Sequence, residues 1–151
     1  MTTLPVVIKT MNRGDIPACT DIIRQSEPWK TLRETVDLAA AVKKKQGYVA
    51  LIEGAVAGFV VFTPEPVFAR GGYLRAVGVA PAVRGFGIGT QLLKFAEKAT
   101  AKQATNLFLC VSSFNKSGQS FYKNLGYKKA GNLDNLIKKG FSEYLYWKKL
   151  K

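Results

Sequence analysis

The run Arg84-Gly85-Phe86-Gly87-Ile88-Gly89-Thr90 is where residue type and spacing in this chain most directly imply chemistry. It lies between the β-branched stretch Val77-Gly78-Val79 and a periodic apolar pattern that predicts a helix over residues 87–102. Glycines at a strand-to-helix turn let the backbone come close to a ligand. The first helical N–H groups have no intrahelical partner, and the helix dipole adds positive potential. Such a turn is a site for phosphate, and Arg84 adds a permanent positive charge beside it. Read alone, the lesser alternative is a tight strand-to-helix connection that holds no ligand.

Other chemistries are poorly supplied. No Gly-x-x-x-x-Gly-Lys-Ser/Thr string occurs. A Gly-x-Gly-x-x-Gly fingerprint fails because its third glycine would fall on Ile88 or Leu92, and the acidic ribose partner is replaced by Leu107-Phe108-Leu109. The chain has no histidine, which removes Ser-His and Cys-His nucleophiles and most transition-metal sites. Its two cysteines, Cys19 and Cys110, lie far apart and form no metal-spaced cluster, so no metal is expected. Cys110, inside Leu107-Phe108-Leu109-Cys110-Val111, reads as a small core hydrophobe of a buried strand.

The elements that must position the glycine turn follow from pattern. Strands are expected over residues 5–10, 48–52, 56–63, 73–80, 107–111, 127–130 and 141–149. Helices are expected over residues 15–25, 31–45, 87–102 and 115–125, the second capped by Thr31 with Glu34 three residues on. Pro64-Glu65-Pro66 reads as a loop, because two prolines so close exclude a helix and a central strand. The order describes an α/β mixture around one central sheet.

At 151 residues the chain suits one domain, 1–151, able to bury its own core. Its apolar runs are too short to span a bilayer and no secretory signal is apparent, so a cytoplasmic location is expected. The net charge of +13 is dispersed over short lysine clusters rather than a tail. It fits an acidic partner, a polyanionic cofactor, or simply a solubilising surface.

The glycine run fits the Arg/Gln-x-x-Gly-x-Gly/Ala signature of the GNAT superfamily of acetyl-CoA-dependent N-acyltransferases. The preceding Leu74-Arg75-Ala76-Val77-Gly78-Val79-Ala80-Pro81 looks like that family's fourth strand. The segment Asn115-Lys116-Ser117-Gly118-Gln119-Ser120-Phe121-Tyr122-Lys123-Asn124-Leu125-Gly126-Tyr127 is similar to its second motif, at the right spacing. The resemblance implies a single-domain α/β (α+β) fold: a mixed sheet with splayed parallel strands four and five, and helices on both faces. It implies acetyl-CoA as co-substrate and an amine as acceptor. The cofactor arm would lie between residues 77–79 and 107–111, paired with backbone of Val77, Gly78 and Val79. Amides of Gly85, Phe86, Gly87, Ile88, Gly89 and Thr90 would hold the pyrophosphate beside Arg84, and Asn115 would bind the arm near the sulfur.

Tyr122 is the expected general acid, protonating the leaving thiolate. Many relatives carry a carboxylate in or near strand four, which here reads Tyr73-Leu74-Arg75-Ala76-Val77. The base is therefore sought elsewhere, with Glu65 and Glu143 as candidates acting through water. Residues 28–38, 64–70 and 133–143 should wall the acceptor side, with Trp29, Phe68, Phe141 and Tyr144 as lining or as packing under a loop. The positive charge argues against polycationic acceptors and for one carrying a carboxylate or phosphate. A homodimer is compatible with the sequence. A CoA-sensing or basic binding module is the alternative class, although no nucleic-acid reader motif is present.

Overall fold

The computed structural model describes residues 2–151. Seven strands form one sheet: β1 (Val7–Thr10), β2 (Gly47–Ile52), β3 (Ala55–Phe68), β4 (Gly71–Val79), β5 (Asn106–Ser112), β6 (Lys128–Asp134) and β7 (Ser142–Lys149). Their order is β1-β2-β3-β4-β5-β7-β6. Every pairing is antiparallel except β4 with β5. That parallel pair needs a crossover, and α4 (Ile88–Ala101) provides it.

Strand alternation produces two cores. Ala50, Val60, Phe62, Leu107, Leu109 and Val111 face α4, whose Ile88, Leu92, Leu93 and Ala96 are buried against them. Val49, Phe59 and Val61 face the opposite side, where α1 (Ile16–Arg24) contributes Cys19, Ile22 and Ile23. Helices therefore cover both faces, as the resemblance implied. Just before α1, a reciprocal cap sets the chain's course: the Asp15 N–H donates to Asn12 Oδ1 (3.2 Å) and the Asn12 N–H to Asp15 Oδ2 (2.9 Å).

Three expectations need correction. The helix expected over residues 31–45 is two short ones, α2 (Trp29–Leu32) and α3 (Leu38–Lys43). Leu32, Val36 and Leu38 are all buried, and positions 36 and 38 fall on opposite sides of a continuous helix. Arg33, at φ 55°, ends α2, and Asp37 starts α3 by accepting the Ala40 N–H. Thr31 is no cap; its N–H and hydroxyl donate to the Glu27 carboxylate.

The expected loop at residues 64–66 is a continuation of β3. The Phe62 N–H still donates to Gln46, but β2 pairs no further than Gly47 against Val61. Positions 64 and 66 share the direction of 62, so both proline nitrogens face an edge with nothing left to pair. Thirdly, β6 is longer than expected, running to Asp134 as an exposed edge strand against β7.

One irregularity positions everything that follows. Val61 pairs with Ala76 while Phe62 pairs with Leu74, so Arg75 is an extra residue in β4. A bulge bends its strand and increases the local twist. On the other edge, β4 pairs with β5 only from Gly71↔Asn106 to Leu74↔Leu109, and the two strands part at the bulge.

Candidate active site

The gap begins three residues later on β5 than expected, and two earlier on β4. Leu107, Phe108 and Leu109 remain paired with β4 and buried, so the opening lies between residues 75–79 and 110–112. The Ala80 N–H donates to Ala57 on β3. Alternation then turns the peptide groups of Val77 and Val79 toward the open edge. The Val79 carbonyl confirms this direction, accepting the Arg84 Nε at 3.1 Å. Gly78 serves packing: a Cβ there would sit 2.7 Å from Phe59 Cε1.

The glycine turn ends this gap. Gly85 (φ 85°) and Gly87 (φ 79°) are left-handed, a conformation that costs little only without a side chain. Gly87 is the N-cap of α4, and no side chain caps its N–H groups. The first intrahelical donor is Gln91, to the Gly87 carbonyl, which leaves the amides of Ile88, Gly89 and Thr90 facing outward. A cavity of about 290 Å³ lies there, lined by Val79, Arg84, Gly85, Ile88 and Phe121 among others. Phe86 is partly exposed, and its carbonyl accepts the Leu4 N–H.

Arg84 does more than supply charge. Its guanidinium also donates to the Gln25 carbonyl (3.0 Å) and Ser26 hydroxyl (2.9 Å). It ties the end of α1 to the end of β4, across the mouth of the gap.

A larger cavity of about 930 Å³ continues from the gap to the acceptor side. Val77, Gly78, Val79, Asn115 and Tyr122 line it, as do Tyr73, Arg75, Cys110 and Glu143. Asn115 caps α5 (Lys116–Asn124), its Oδ1 accepting the Gly118 N–H at 3.0 Å. Its amide oxygen is thus already engaged, and its NH₂ is the group left for a ligand. Gln119, buried in the same helix, donates to the Ser112 and Ser113 carbonyls and fixes α5 to the end of β5. Tyr122 follows one turn later. Its ring meets Phe121 and Tyr127 edge-on. Burial pushes its phenol well above the usual tyrosine range, so it stays protonated at neutral pH. Among the described residues its hydroxyl has no hydrogen-bond partner.

The two candidate bases separate clearly. Glu65 is exposed on the β3 overhang and does not line the cavity. Glu143, 3% exposed, does line it. Burial raises its pKa above the ordinary carboxylate value, partly offset by the Ser112 hydroxyl, which donates to Oε2 at 2.6 Å.

Cys110 departs from the reading of it as pure core. It is half-buried in the cavity wall, which Tyr73 also lines. The alternation of β5 carried the signal: Leu107, Leu109 and Val111 face α4, so Cys110 faces the other way. Burial raises the thiol pKa, which makes it a poor nucleophile. Of the four aromatic candidates only Trp29 lines the cavity. Phe68 packs on Phe108, Phe141 on Phe114, and Tyr144 lies under Lys129. Residues 64–70 form no wall of it, whereas Pro28, Val36 and Ile137 do. Among the described residues no group of His, Cys, Asp or Glu could hold a metal, and no helix is long and apolar enough to cross a membrane.

The sequence model of the acetyltransferase (GNAT) family matches residues 16–127. No curated protein matches the chain. Solved structures match nearly all of it. An N-acetyltransferase from Staphylococcus aureus Mu50 is 24% identical, with 98% of this chain and 100% of that one covered and a TM-score of 0.78. The ribosomal-protein-S18-alanine N-acetyltransferase from Escherichia coli is 17% identical over 97% and 95%, at 0.78. The yncA protein of Salmonella typhimurium, solved with its cofactor acetyl-CoA, is 18% identical over 98% and 95%, at 0.75. At these identities the likeness is one of fold.

Proposed function

The chain belongs to the GNAT acetyltransferase family, and from that premise we propose that it moves the acetyl group of acetyl-CoA directly to a primary amine. The observation that carries this reading is the parting of β4 from β5 beyond Leu74 and Leu109. It leaves one continuous slot, with unpaired α4 amides at one end and Tyr122 and Glu143 in the cavity at the other. The parts of the slot match the parts of acetyl-CoA. Free amides at a helix N-terminus suit a pyrophosphate. An open strand edge at Val77 and Val79 suits an arm that carries amide groups, by strand addition. When bound, acetyl-CoA supplies a thioester as the activated acyl group.

The residues then divide the work. The edge amides of β4 would hydrogen-bond to the thioester carbonyl oxygen as it gains negative charge. Glu143, directly or through a water, takes the proton that the amine loses as its nitrogen bonds to the acyl carbon. Tyr122 gives its proton to the sulfur as the carbon–sulfur bond breaks. A tyrosine phenol carries its proton at neutral pH, and burial here does not remove it. The products are an acetylated amine and a free thiol. Cys110 takes no covalent part in this route.

Calorimetric titration with acetyl-CoA, alongside free-thiol release with a mixed amine panel, tests the proposal. Micromolar binding with amine-dependent thiol release is expected. Absence of binding would sink it. Binding without thiol release from any amine would favour a CoA-sensing role instead.

A further inference from the structure

Resting on that reading of the cavity, we propose that the acceptor is an amine bearing a carboxylate, with Arg75 as the residue that recognises the carboxylate. Arg75 is the extra residue of the β4 bulge, so its side chain is set by the distortion that opens the slot. It lines the large cavity. Its guanidinium lies over the Tyr73 ring, 6.0 Å from the centroid, at the outer limit of a cation–π contact. Among the described residues, no carboxylate lies within ion-pair distance of it.

Glu143 lies on the far side of the opening, on β7, where it pairs with Ser112 of β5. Tyr73 of β4 and Cys110 of β5 line the cavity with them. One cavity thus carries a cation on its β4 side and a carboxyl on its β7 side that do not neutralise one another. An amino carboxylate complements both: its carboxylate meets a guanidinium built for bidentate contact, and its amine meets the group that removes its proton.

Other charged groups of the cavity do not compete. Glu27 is engaged by Thr31, Asp37 by the Ala40 amide, and Arg84 by Gln25 and Ser26. Lys30, Glu34 and Lys44 are exposed, as Arg75 is, but they are of mixed sign and sit on or beside α2 and α3 rather than on β4. A diamine would instead bring a second cation to Arg75, and a carboxamide would leave the guanidinium without an anionic partner.

The test is calorimetry with free L-amino acids and their matching carboxamides, titrated into the protein with and without CoA. At least one free amino acid should bind about 10- to 100-fold more tightly than its carboxamide, the range for charge-assisted hydrogen bonds. Arg75→Met should bring the pair to equal affinity while leaving CoA affinity and the melting temperature unchanged. Arg75→Lys should restore part of the preference. A carboxamide that binds as well as its acid, or a preference that survives Arg75→Met, overturns the inference. Thiol release with carboxylate-free amines but no amino acid would overturn it and leave acetyl transfer standing. Failure of CoA to bind would count against acetyl transfer, and the titration without CoA would still decide the role of Arg75.

Discussion

Across the β5–β7 pair, the Ser112 hydroxyl donates a 2.6 Å hydrogen bond to Glu143, the buried carboxyl of the cavity wall. Ser112 is the last residue of β5, and Gln119 of α5 grips its carbonyl. The carboxyl is thereby held from one side while its other oxygen is left to face the cavity.

Glu143→Gln should lower kcat/KM by on the order of 10²–10⁴-fold, the usual contribution of a positioned base, with acetyl-CoA affinity retained. In the wild type the acid limb of the pH–rate profile should lie above the ordinary carboxylate value of about 4.3, because burial raises this pKa. An unchanged limb in the variant would assign the base elsewhere.

The same shift has a consequence for stability. In the folded protein Glu143 holds its proton over a pH range in which the unfolded chain has already lost it. Its contribution is complete below the unfolded carboxyl pKa and is lost as pH rises through the raised folded value. Glu143→Gln keeps a side chain that can accept from Ser112 and removes the ionisation. Denaturant midpoints measured as pH rises from about 4, the ordinary carboxylate range, through neutrality should decline less steeply in the variant.

Tyr122→Phe should leave acetyl-CoA affinity within about twofold and lower turnover by roughly 10²-fold, the low end for a lost general acid. Turnover at the wild-type level would remove the phenol from the mechanism. The ring contacts with Phe121 and Tyr127 survive this change, so thermal stability serves as the internal control.

Gly87→Ala should destabilise by about 1–2 kcal/mol, the cost of a left-handed L-residue, since Gly87 sits at φ 79° with Thr3 Cγ2 3.2 Å from an added Cβ. It should also weaken acetyl-CoA binding. Gly54→Ala, at φ 82° in the β2–β3 turn with open space around it, should cost similar stability and leave binding alone. Equal losses of binding in both would mean that the α4 turn holds no phosphate.

Arg84→Met removes three hydrogen bonds, to Val79, Gln25 and Ser26. An expected loss of about 1–2 kcal/mol follows for an exposed but charge-assisted donor, together with weaker acetyl-CoA binding as α1 and β4 loosen. Arg84→Lys should recover little of either, because one ammonium cannot reach three acceptors in a fixed plane.

Much of this protein is local, and local features are legible in a sequence. The left-handed glycines at 85 and 87, the Asn115 cap, the helical stripe from Ile88 to Ala96 and the alternation of β2, β3 and β5 each depend on neighbours a few residues away. The stripe and the alternation are sufficient to order the elements, and the glycines to mark the turn before α4. What they could not determine depends on contacts between distant segments. The α2–α3 break comes from burying Val36 and Leu38 on different sides. The run of β3 through Pro64 and Pro66 depends on where β2 stops. The choice of Glu143 over Glu65 as a cavity residue requires knowing that β7 inserts beside β5 while the tip of β3 overhangs the sheet. The bulge at Arg75 is a mismatch of register between two strands. No pattern within β4 alone encodes it, yet it parts β4 from β5 and so makes the site.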